Sequence, residues 1–143
     1  MTETYIFVYG SLRKGLKNHH YLENSEYIEE FISDEEFYLL AYENLNFPYL
    51  LEELAINKPK TKIKGEIYKI NDNVLKKIDN LESNNEIYQR KIHKFSNNKN
   101  NDFEAYVYIL IKPIIIDYIT KNLNKNYFLI ESGDWVEFLY SGK

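Results

Sequence analysis

Lys62-Ile63-Lys64-Gly65-Glu66-Ile67-Tyr68-Lys69-Ile70 alternates residue by residue, and at Asn71 the chain changes period. Ile63, Gly65, Ile67 and Lys69 fall on one face, Lys64, Glu66, Tyr68 and Ile70 on the other, which reads as a strand. From Asn71 to Leu81 the apolar residues Val74, Leu75, Ile78 and Leu81 recur at helical spacing, with Asn71 or Asp72 placed to cap the start. The helix breaks into Ser83-Asn84-Asn85 and leaves Glu82 at its end.

Working outward, Tyr5-Ile6-Phe7-Val8-Tyr9 is a buried strand that ends at Gly10, Phe37–Ala41 a second, and Tyr49-Leu50-Leu51 a short one after Pro48. Tyr88–Phe95 and Glu104–Ile111 alternate again around a polar turn, Asn97–Asp102, and so form a hairpin. Ile114–Leu123 has both strand and helix character, and a short helix is the favoured reading. Strands outnumber helices without alternating regularly with them, so the expected class is α+β. Several short strands in a small chain suggest a sheet curled towards a barrel, which removes exposed edges.

The chain has 143 residues, enough for one domain with a core of its own, and neither a composition shift nor a repeat divides it. Its formal charge of −4 argues against a nucleic-acid partner. No run of about 18 apolar residues is present to span a membrane, and the start carries no basic, signal-like segment. Without cysteine there is no disulfide, thiol nucleophile or cysteine-based zinc site, and the cytoplasm is the expected location. His19, His20 and His93 are a poor set for a metal, because adjacent histidines on a loop rarely converge. Trp135 and Tyr140 read as core or wall residues. Oligomeric state is not legible.

Two segments carry chemistry. Gly10-Ser11-Leu12-Arg13-Lys14-Gly15 follows a strand, but it lacks the Lys and Ser/Thr that a P-loop needs after its second glycine. What remains is either a plain tight turn or a junction where glycine permits positive φ and close approach, with successive N–H groups able to hold a carboxylate or oxyanion. Glu82 offers a carboxylate, and by composition Glu86 is its equal. Residue types and spacing leave the function open at this point.

Tyr9-Gly10-Ser11-Leu12, Asp79-Asn80-Leu81-Glu82 and Tyr88-Gln89-Arg90 together resemble the gamma-glutamylcyclotransferase-like family. Lys17-Asn18-His19, Phe47-Pro48-Tyr49-Leu50, Gly65–Tyr68, Ala105-Tyr106-Val107-Tyr108 and Glu131–Trp135 match in the same order, and Pro113–Asn126 matches least. Within that family, Glu82-Ser83 followed by Ile87–Arg90 is most similar to the gamma-glutamylamine cyclotransferases. The resemblance implies a small mixed β-barrel with flanking helices and a small-molecule γ-glutamyl substrate, such as γ-glutamyl-ε-lysine. It also implies Glu82 as general acid/base and Tyr9, Gly10, Ser11 and Leu12 as pocket lining. Asn18, Tyr88, Arg90 and Tyr106 are further substrate-binding candidates. The implied ring closure to 5-oxoproline requires neither metal nor organic cofactor. Alternatives are a binding module of the same fold without turnover, or an enzyme for other γ-glutamyl amino acids.

Overall fold

A computed structural model describes residues 4–43 and 47–141. The strands are β1 (Thr4–Val8), β2 (Glu26–Tyr42), β3 (Pro48–Leu51), β4 (Thr61–Ile70), β5 (Tyr88–Ser96), β6 (Asp102–Leu110) and β7 (Tyr127–Leu129). The helices are α1 (Asp72–Glu82), α2 (Pro113–Lys121) and α3 (Trp135–Tyr140), with a 3₁₀ turn at His19–Leu22.

Strands β2, β4, β1, β6 and β5 lie side by side in that order, and β5 returns to β2 through the pairs Ile32↔Ser96 and Ser33↔Phe95. The result is a closed 5-strand barrel. It is mixed, since β1 and β6 run parallel at Ile6↔Tyr106 while the other barrel pairs are antiparallel. Period-two alternation sorts the side chains. Phe7, Ile63, Ile67, Phe95, Ala105, Val107 and Ile109 belong to one buried cluster, where the Phe7 and Phe95 rings stack at 4.0 Å. Ile6, Val8, Tyr68, Ile70, Tyr88, Tyr108 and Leu110, their neighbours along the strands, belong to a second cluster with Ile78 of α1 and Ile119 of α2. The barrel therefore has apolar residues on both sides of its wall, and α1 and α2 cover the outer ones.

β2 is longer than the Phe37–Ala41 segment expected. Its first half completes the barrel, and its second half carries β3 on one edge and β7 on the other. Two register shifts against β4, at Tyr27/Glu29 and at Ile32/Glu36, break the alternation of Glu26–Glu36, so this acidic half of the strand carries no regular period. α2 settles the ambiguous Ile114–Leu123 segment as a helix, opened by Pro113 in its first turn. Trp135 is buried as expected, but Tyr140 is 78% exposed, because α3 ends there with that side turned to solvent. Among the described residues no helix is long and apolar enough to cross a membrane.

Candidate active site

Glu82 is the last residue of α1, and the helix explains where its carboxyl sits. Asn71 caps the N-terminus by accepting a hydrogen bond from the Val74 N–H at 2.9 Å, an interaction typically worth ~1 kcal/mol. Val74, Leu75, Ile78 and Leu81 pack on the outer side of the barrel, with Ile78 fully buried. At the other end Ser83 turns left-handed (φ 49°) and the Asn84 N–H donates to the Asp79 carbonyl at 2.9 Å, closing the last turn.

That last turn is fastened to the barrel by Asp79, three residues before Glu82. Its carboxylate accepts Arg90 Nε at 2.8 Å and Nη2 at 3.1 Å, and the Tyr108 hydroxyl at 2.5 Å. The Arg90 N–H in turn donates to Asn84 Oδ1 at 2.9 Å. The paired Arg–carboxylate geometry fixes orientation as well as distance. Burial first, then this bond to Asp79, pushes the Tyr108 phenol far up, so it remains a proton donor.

The glycine turn is fastened from the opposite side. Arg13 is buried, its Nε donating to Glu66 Oε2 at 2.9 Å and its Nη1 to Asp134 Oδ1 at 2.8 Å. The second Glu66 oxygen accepts the Lys14 N–H at 2.9 Å and the Tyr68 hydroxyl at 3.0 Å. Asp134 also caps α3 by accepting from the N–H groups of Val136 and Glu137. Burial opposes the charge on Arg13, but the bonds to Glu66 and Asp134 outweigh it and hold the guanidinium protonated. Gly10 is required by contact: a Cβ there would lie 2.7 Å from Pro48 Cδ. Positive φ belongs to Gly15 (86°) instead. The Gly10 and Ser11 carbonyls accept from Arg13 and Asn18 N–H groups, and among the described residues the N–H groups of Gly10, Ser11 and Leu12 find no protein acceptor.

The two fastened segments meet in a cavity of about 290 Å³, close to the lower end of ordinary small-molecule sites. Tyr9, Gly10, Ser11, Leu12 and Asn18 line one side, and Glu82, Ser83, Tyr88 and Tyr108 another. Phe47, Pro48, Tyr49 and Ile115 complete the wall, so the segment after Pro113 does reach the cavity through one residue of α2. Asn18 Nδ2 donates to the Ser11 hydroxyl at 2.8 Å, and the Tyr9 hydroxyl to the Tyr108 carbonyl at 2.7 Å. Arg90 and Tyr106, also expected to bind substrate, are not in this lining. Arg90 shares the face of Tyr88 but is spent on Asp79, and its guanidinium lies 4.6 Å over the Tyr106 ring. Sequence reading missed Tyr108, two residues along the same face as Tyr106 and nearer the cavity end of β6. Glu86 is exposed and outside the cavity.

Glu82 is partly open to the cavity, yet protein atoms crowd its carboxyl group. This desolvation alone, with no opposing charge or hydrogen bond, raises its pKa to about 7. Its negative charge contributes to raising the phenol pKa values of Tyr9 and Tyr88, in both of which burial is the larger cause. The stability consequence has a definite sign. Between the unfolded value near 4.5 and the folded value near 7, only the folded state binds the proton, so stability falls as pH rises through that window. At about pH 8 the buried charge costs on the order of 3 kcal/mol. A Glu82→Gln protein should therefore be more stable than wild type at about pH 8, and lose most of that advantage near pH 5. Denaturant titrations at the two pH values check this. An advantage that is equal at both would count against the raised pKa.

His19 Nδ1 faces the Leu12 carbonyl, His20 lies exposed by Lys17, and His93 sits between Glu35 and Glu52. Among the described residues no group of three His, Cys, Asp or Glu is disposed to hold a metal ion.

The gamma-glutamyl cyclotransferase, AIG2-like family model matches residues 6–137. A Methanocaldococcus jannaschii protein named as a gamma-glutamylcyclotransferase is 34% identical over 135 residues, covering 94% of this chain and 97% of that protein. A gamma-glutamylaminecyclotransferase of Danio rerio (form C) is 36% identical over 95 residues, 63% of this chain and 60% of its own. Among solved structures, the AIG2-like protein of Mus musculus aligns with a TM-score of 0.65 and 25% identity, over 76% of this chain and 78% of that one. The same fold recurs inside a larger enzyme: Kluyveromyces lactis allophanate hydrolase aligns with the whole chain at a TM-score of 0.70 and 15% identity, over 22% of its own length. With a matching family model over most of its length, this chain belongs to the gamma-glutamyl cyclotransferase, AIG2-like family and is an enzyme of the cyclotransferase type.

Proposed function

We propose that the protein converts a γ-glutamyl amine, such as γ-glutamyl-ε-lysine, into 5-oxoproline and the free amine, with Glu82 as the proton shuttle. The observation that carries this reading is a carboxyl group with a pKa near 7 lining the same cavity as Gly10, Ser11 and Leu12, whose backbone N–H groups, like the carboxyl, have no partner among the described residues. The substrate α-amine, with a reference pKa of about 8, is mostly protonated near neutrality. Glu82, ionised, takes one proton from it. The freed lone pair attacks the γ-carbonyl, a C–N bond forms, and the carbonyl electrons move onto oxygen. When that oxyanion collapses, the bond to the leaving amine breaks and Glu82 returns the proton to its nitrogen, while the ring nitrogen, still carrying two hydrogens, gives its second proton to the freed amine, which departs as an ammonium. Donor and acceptor pKa values within about a unit make the first transfer, from the α-ammonium to Glu82, nearly isoergic, the regime in which general acid–base catalysis works best.

The nucleophile and electrophile share one molecule, so the protein's other task is to fold the γ-glutamyl arm until the reacting atoms are ~3–3.5 Å apart. A cavity of about 290 Å³ suits one such arm. The Gly10–Leu12 amides hold the α-carboxylate or the developing oxyanion, where one well-aimed donor is worth roughly 3 kcal/mol. Among the described residues no Lys, Arg or His lines the cavity, so a carboxylate beside the scissile nitrogen would meet no cation from them. This favours γ-glutamyl amines over γ-glutamyl α-amino acids. The test is a panel of both classes with 5-oxoproline as the readout. Turnover of the amines and little of the amino acids is expected. Folded protein that yields no 5-oxoproline from any of them would rule the reading out.

A further inference from the structure

A second cavity of about 510 Å³ opens beside the first, lined by Tyr42, Tyr49, Tyr118, Asn122, Asn126 and Tyr127. Tyr49 belongs to both linings, so Glu82's cavity and this open groove adjoin at that residue. We propose that the groove is a cation subsite that takes the distal ammonium of a γ-glutamyl diamine, on the leaving-amine side of the scissile bond. As a statement about substrate, this rests on the cavity holding the γ-glutamyl group.

The chemistry of the lining selects the ligand. Four of its six residues are tyrosines, with the Tyr42 and Tyr127 rings 4.8 Å apart at 60° and the Tyr49 and Tyr127 rings 6.1 Å apart at 50°. A lining made mostly of tyrosine rings is of the kind that attracts organic cations. Burial, followed by neighbouring tyrosines, raises the phenol pKa values of Tyr49 and Tyr127, which keeps both rings neutral. Asn126 Nδ2 donates to Glu43 Oε1 at 2.9 Å and brings a carboxylate to the edge of the groove. Asn122 Nδ2 is used on the Tyr118 carbonyl at 2.8 Å, leaving its amide oxygen as an acceptor. Among the described residues no Lys, Arg or His is in the lining, so an end group that carries only negative charge would find no cation to pair with. Tyr118, Asn122 and Asn126 come from the segment where the family motifs were hardest to recognise, consistent with a part of the site that sets specificity.

The test separates the subsite from the reaction. In the first arm, wild-type protein carrying ¹³C-labelled tyrosine is titrated with an alkyltrimethylammonium ion and, in parallel, with its isosteric neutral alkane alcohol. The cation should shift the rings of Tyr42, Tyr118 and Tyr127, weakly in Tyr118→Leu and normally in Tyr118→Phe, which keeps the π face. In the second arm, γ-glutamyl amides whose distal end is an ammonium, a methyl or a carboxylate are compared as substrates. The ammonium form should be preferred over the methyl form by about tenfold in kcat/KM, a ratio that falls in Tyr118→Leu and survives in Tyr118→Phe. Rings that ignore the cation, or respond equally to the alcohol, overturn the proposal, as does a preference for the carboxylate end. Ring shifts without 5-oxoproline from any amide would overturn the reaction reading and leave the cation site standing.

Discussion

Replacing Glu82 by Gln is expected to lower kcat for 5-oxoproline formation by ~10²–10⁴-fold, the usual range for a positioned acid–base group. Gln matches Glu in shape but can neither accept the α-ammonium proton nor return one to the leaving nitrogen. Because the carboxyl has no partner among the described residues, the substitution breaks no ion pair or hydrogen bond with them. The loss should therefore appear in kcat with little change in substrate affinity, the pattern of an interaction made mainly in the transition state. Wild-type kcat/KM should rise with pH through a midpoint near 7, where the raised pKa of the free enzyme makes the base available, and not near 4.5. A loss of less than about tenfold, or a rising limb at ordinary carboxylate pH, would remove Glu82 from the chemistry.

Arg13→Ala is expected to be the most damaging substitution for stability, at about 3–5 kcal/mol. Its guanidinium is buried between Glu66 and Asp134, and Glu66 is itself 5% exposed, so removing Arg13 strands a carboxylate without its counter-ion. For a chain of this size the loss corresponds to a drop in Tm on the order of 10 °C. The same bonds hold the Gly10–Leu12 amides, so activity should fall further than the folded fraction does. Adding Glu66→Gln to Arg13→Ala should recover part of the stability, because it removes the stranded charge. If Arg13→Ala costs less than about 1 kcal/mol, the cluster is no more than a surface-grade ion pair.

Particular residues show why some of this was legible and some not. α1 and Glu82 could be read because the cap, the apolar spacing and the polar break all lie within one short stretch, from Asn71 to Asn85. β4 and β5 were legible through their alternation, β1 as an apolar run ending at Gly10, and β6 as the strand joined to β5 by a polar turn. The first half of β2 was hidden because its register shifts break the period that identifies a strand. Arg13 was hidden for a different reason. Its partners lie 53 and 121 positions away, and only closure of the barrel brings Gly65-Glu66 and Gly133-Asp134 to the glycine turn. Those short motifs were recognisable in the sequence as matches, but their physical work was not. Arg90 was expected to meet substrate, and alternation, which reports a side and not a distance, did not reveal that Asp79 takes its guanidinium. The reason for Gly10 also changed: Pro48 excludes a side chain there, a contact between distant segments that no local pattern encodes.

The most direct test of the central claim is to incubate wild type and Glu82→Gln side by side with γ-glutamyl-ε-lysine and measure 5-oxoproline and free lysine together. The account predicts that both products appear in equal amounts with wild type, and at least about a hundredfold more slowly with the folded Gln variant. Equal rates from the two proteins, or release of lysine with free glutamate instead of 5-oxoproline, would contradict it.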